Sequence, residues 1–95
     1  MINYYIDIMV TKEMFDGFTF DERYEIILTN GVFLKECHHF EKLLKLYKLE
    51  NFLVEACFND KHRLIQVEVI SHRSAMFFYG ISDKVFSASI TGGHI

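Results

Sequence analysis

The chain has 95 residues, 51% hydrophobic and 24% charged, which excludes a disordered protein and predicts one domain over residues 1–95. Its net charge of -3 excludes the broad basic field that bulk nucleic-acid binding needs. Two cysteines allow at most one disulfide, and no apolar run approaches the ~18 residues of a membrane span.

Residues 1–25 carry six acids against Lys12 and Arg23, so the acidic character is N-terminal. Met1 leads straight into a strand-like run with no basic leader, so a cytoplasmic protein with reduced thiols is expected. From Ile2 to Val10 apolar and polar residues alternate with the period of a half-buried strand. Thr11 to Met14 can start a short helix, which Asp16-Gly17 ends. Phe15, Phe18 and Phe20 then fall in a connection, where they either tuck under it or form a binding surface.

Two apolar runs flank Asn30-Gly31, the dipeptide of a type I′ turn, and this predicts a hairpin over residues 23–37. On that view Gly31→Val disrupts the turn. Phe40, Leu43, Leu44 and Tyr47 fall at i, i+3, i+4 and i+7, which predicts the main amphipathic helix over residues 38–49. Leu46 and Leu49 lie off that stripe, beside Lys42, and so are expected on a wet helix side. Residues 51–58 and 63–70 predict a second hairpin around Asn59-Asp60-Lys61-His62. Residues 75–81 are expected as a strand, with a helix over 72–80 as the rival, and residues 85–91 as a further strand.

Several of these runs are apolar on both sides: Ile26 to Thr29, Val32 to Leu34, and Met76 to Tyr79. A sheet with two apolar faces needs cover on both, and one helix cannot supply it. A second copy of the chain or another protein is therefore expected to close over the surplus. Leu46, Leu49, Lys42, Phe15 and Phe18 are the expected contact residues. Lysine at positions 46 and 49 is expected to weaken association and leave the fold intact.

Nucleotide, zinc and nucleophile-elbow motifs are missing. Cys37-His38-His39 is the densest cluster of reactive side chains, but adjacent residues point different ways and seldom meet at one atom. Asp7, Asp16, Asp21 and Glu22 read as solvated acids rather than a metal site. No catalytic residue, metal or cofactor is assigned. The expectation is an α+β domain with a mostly antiparallel sheet of five to six strands and one main helix. Its expected role is a small non-enzymatic protein-binding module. A phage or mobile-element inhibitor of a host defence enzyme suits that size, as does an immunity or antitoxin protein. The alternative is a small enzyme or ligand-binding domain whose site forms at a homodimer interface.

Overall fold

A computed structural model describes residues 10–81. Helices α1 (Lys12–Asp16) and α2 (Phe20–Asn30) come first. Four strands follow: β1 (Val32–His39), β2 (Lys42–Leu49), β3 (Phe52–Phe58) and β4 (Leu64–Ile70). Helix α3 (His72–Tyr79) comes last. The strands form one antiparallel meander in the order β1-β2-β3-β4. The α+β class and the antiparallel sheet agree with the sequence. The expected strand at 85–91, and all of the one at 2–10 except Val10, lie outside the described residues.

The sheet is the middle of three layers. On one face α2 buries Ile26 and Ile27, and α1 buries Phe15, against Tyr47, Leu49, Phe52, Val54, Ala56 and Val67. On the other face α3 buries Ala75 and Tyr79, with Ile81, against Leu46 and Leu53. Strand β3 lies inside on both sides: all its residues are buried except Glu55, which is half-buried. Both faces of β2 and β3 are therefore apolar and covered by helices of the same chain, whereas Val32 and Phe33 of β1 stay exposed.

Residues 38–49 do not form a helix. They are the end of β1, a two-residue turn at Phe40-Glu41, and all of β2. In β2, Leu43, Tyr47 and Leu49 serve the α2 side, whereas Leu44 and Leu46 serve the α3 side. A strand that is apolar on both faces offers leucine at almost every position, and a helical stripe can be drawn through it by chance.

The Asn30-Gly31 hairpin is also overturned. Asn30 ends α2, and Gly31 is its cap at φ -88, with its N–H donating to the Ile27 carbonyl. The helix begins at Thr19, whose hydroxyl accepts from the Glu22 N–H while the Glu22 carboxylate accepts from the Thr19 N–H. This reciprocal box satisfies two donors that a helix start leaves open. Gly31 is needed for space: a Cβ there would sit 2.7 Å from the Ile27 carbonyl oxygen. Gly31→Val is expected to cost about 1–3 kcal/mol through that clash. Gly31→Ala should lose nearly as much in a urea melt, since both add the same Cβ. Wild-type stability in the alanine variant would refute the steric account.

The hairpin over 51–70 is present as β3 and β4, with Asn59 Oδ1 accepting from the N–H groups of Lys61 and Arg63. Residues 72–79 form the rival helix, not a strand. Ser71 caps its start through the Ser74 N–H, and Gly80 at φ 65 ends it in the left-handed region that favours glycine.

Two phenols tie the layers to the sheet. Tyr79 donates to Glu55 Oε2 at 2.8 Å, and burial, then that bond to Glu55, push its pKa well above the usual range. Burial, then Tyr24 beside it, push Tyr47 up to about 12. Unfolded tyrosines release their protons near ~10, so the folded chain holds these two protons longer. Their contribution to stability is present below that pH and is lost as pH rises through the folded values. Urea melts in steps above neutral pH should show a fall beginning near pH ~10, largely removed in the Tyr79→Phe, Tyr47→Phe double variant. An equal fall in that variant would assign the effect elsewhere.

Candidate functional site

The residues expected at a contact surface divide sharply. Leu46, Leu49 and Phe15 are fully buried, so the wet helix side imagined for the two leucines does not exist. Phe18 is half-buried against the α2-side core. Lys42 is exposed at the start of β2. Phe20 is also exposed, on the first turn of α2.

The reactive side chains do not assemble. Cys37 and His39 lie on the α3 side of β1, as the pairing of Cys37 with Leu44 shows. His38 alternates to the other side and lines an open cleft of about 290 Å³ with Glu41, Leu43, Asn59, Asp60 and His62. Among the described residues no three His, Cys, Asp or Glu side chains are placed to hold a metal ion. Burial pushes both thiols up, and Glu55 adds to it; Lys35 near Cys37 and Lys42 near Cys57 pull the other way. Such thiols favour the protonated form, not the nucleophilic one. Asp7 lies outside the described residues. Glu22 is committed to the cap of α2, and Asp21 sits in its first turn, where a negative charge is favoured. A second open cleft, of about 480 Å³, runs from Val10 to Glu13 and along Lys48, Glu50 and Asn51.

What the fold does assemble is a surface of rings. Phe40 stands at the tip of the β1–β2 turn and is 90% exposed; Phe77 and Phe78 on α3 are 80% and 53% exposed. The His39 ring joins them, 4.5 Å from Phe40 and 6.3 Å from Phe78 between centroids, and Phe78 lies 5.1 Å from Phe77. Met76 is partly exposed beside them on the helix. Contiguous apolar surface of this kind marks an interaction site more often than scattered exposed residues do.

Phe40 is also strained. Its φ of 58 lies in the left-handed region, which a bulky side chain disfavours by about 1–2 kcal/mol. A fold that needed only a turn here would hold glycine or asparagine. Phe40→Gly is expected to stabilise the chain by about 0.5–1 kcal/mol, read as a higher urea midpoint. A lower midpoint would show that the ring supports the fold and is not a surface group.

The chain matches no protein-family model, no curated protein and no solved structure. No helix among the described residues is long and apolar enough to cross a membrane.

Proposed function

We propose that this chain is a small protein-binding module that acts through the rings of Phe40, His39, Phe78 and Phe77. The observation that supports it is a contiguous, exposed aromatic surface whose tip residue is held at a backbone conformation costly for phenylalanine. Stability alone disfavours both features, and binding supplies a reason for them. Aromatic side chains are also the usual anchors of protein interfaces. Among the described residues no three His, Cys, Asp or Glu side chains are placed to hold a metal ion. We place its action in the cytoplasm, where it occupies a partner's surface as inhibitors, immunity proteins and antitoxins do.

A photo-reactive benzoyl-phenylalanine at position 77, in the cells that naturally make the chain, tests this. One dominant protein adduct is expected there, and none from the same group at Lys61 on the exposed β3–β4 loop. Equal adducts at both positions, or none at either, would sink the reading.

A further inference from the structure

We propose that the ring surface receives an acidic polypeptide segment bearing apolar or aromatic anchors. This rests on the protein-binding role above and names the chemistry of the partner.

The charges of the fold are unevenly spread about the sheet, although Lys12, Arg23 and Lys45 lie on the α2 side and Glu55 and Glu68 on the α3 side. Glu13, Asp16, Asp21, Glu22 and Glu25 all belong to α1 and α2, on the face away from the rings. Around the rings the cations gather. Lys42 pairs across the turn with His39, whose ring touches both Phe40 and Phe78. Lys35 shares a face of β1 with Cys37, whose thiol lies 4.0 Å from the Phe78 carbonyl oxygen. Arg73 is exposed on α3 one turn before Phe77, so both project from the same side of the helix.

Among the described residues, the acids of this turn and this face are Glu41, Glu55 and Glu68. Glu41 faces the cleft it shares with His38. Glu55 and Glu68 pair across β3 and β4 on the α3 face itself; Glu55 is half-buried and engaged by Tyr79, and exposed Glu68 stands on β4, three strands along from the β1 residues beside Phe40. A chain of net charge -3 thus presents its apolar rings beside three exposed cations, Lys35, Lys42 and Arg73. Complementarity selects a partner with the reverse arrangement: apolar anchors to fill the spaces between rings, and carboxylates to meet Lys35, Lys42 and Arg73. Rings among cations can also stack nucleic-acid bases. The overall acidic charge of the chain opposes a polyphosphate backbone, whereas a short acidic segment meets only the local field.

The test is selection from a phage-displayed library of random short peptides on the purified chain, with circular dichroism confirming that each variant is folded. Enriched peptides should combine Asp or Glu with Trp, Phe or Leu. Their binding should vanish on the Phe40→Ser, Phe77→Ser, Phe78→Ser variant. It should weaken about tenfold or more on the Lys35→Glu, Lys42→Glu, Arg73→Glu variant, and return when the peptide's acids are changed to lysine. Ring-dependent peptides that are neutral or basic would overturn the acidic partner and leave the protein-binding role standing. Peptides that bind regardless of the rings would overturn both. Ring-dependent binding of oligothymidylate, followed by fluorescence anisotropy, would replace the partner with nucleic acid. Ring-dependent dimerisation in light scattering would replace it with a second copy of the chain.

Discussion

Replacing Leu46 with Lys is expected to unfold the chain. Leu46 is fully buried and packs with Leu53, Ala75, Tyr79 and Ile81 between the sheet and α3. The carboxylate that faces position 46 across β3, Glu55, already accepts from Tyr79, so a lysine there must displace that bond as well as lose its water, and burying the charge costs several kcal/mol, about as much as a domain this size has in total. Leu49→Lys should do the same on the α2 side, where Leu49 packs with Phe52 and Val54. Leu46→Ala supplies the graded control: a cavity that lowers stability by about 3 kcal/mol without abolishing the fold. Circular dichroism and a urea melt decide it. A folded Leu46→Lys variant altered only in association would restore the amphipathic helix first read from the sequence, with its wet leucines.

Arg23→Met is expected to lose about 3 kcal/mol or more. The Arg23 guanidinium donates to the carbonyls of Phe15 at 3.1 Å, Asp16 at 2.8 Å and Val67 at 2.7 Å. One half-buried side chain of α2 thus binds the C-terminal end of α1 and strand β4 together. Its Cζ also lies over two rings, 5.6 Å from the centre of Phe15 and 5.4 Å from that of Phe20. Met keeps the apolar stem and removes every donor, leaving three carbonyls to find water. Arg23→Lys should recover little, because an ammonium cannot reproduce the planar fork. Full rescue by lysine would mean that charge alone, and not this geometry, joins the helices to the sheet.

The sequence marked the sheet's antiparallel character, the β3–β4 hairpin and the break at Gly17, because each has turn residues of its own. The other two sheet turns were illegible: Phe40-Glu41 and Glu50-Asn51 place phenylalanine and glutamate at positive φ, where glycine or asparagine is the usual sign. With those turns hidden, β2 merged with the end of β1 into one apparent helix. Asn30-Gly31 misled in the opposite direction, since glycine after asparagine ends a helix as readily as it turns a hairpin. A signal for α2 was present: Thr19 with Glu22 three residues on is a capping box. The three runs that suggest two apolar sheet faces do not carry them: Ile26 to Thr29 and Met76 to Tyr79 belong to helices, and Val32 and Phe33 of the third stay exposed, whereas the doubly buried strand is β3. The ring surface was beyond reach, because it joins residues 39 and 40 to 77 and 78 only through the folded sheet.

The strand order β1-β2-β3-β4 also bears on how quickly the chain can fold. Each of the four described strands pairs with its neighbour in sequence, across two-residue turns at residues 40–41 and 50–51 and a short loop after Phe58. Closing such small loops loses little chain entropy, and topologies dominated by local pairing fold fastest. No proline is present to impose a slow isomerisation phase. The sheet is therefore expected to zip hairpin by hairpin, with α2 and α3 docking on its two faces. A chain made in this way exposes its doubly apolar central strand only briefly, which limits the time in which β3 can find the wrong neighbour.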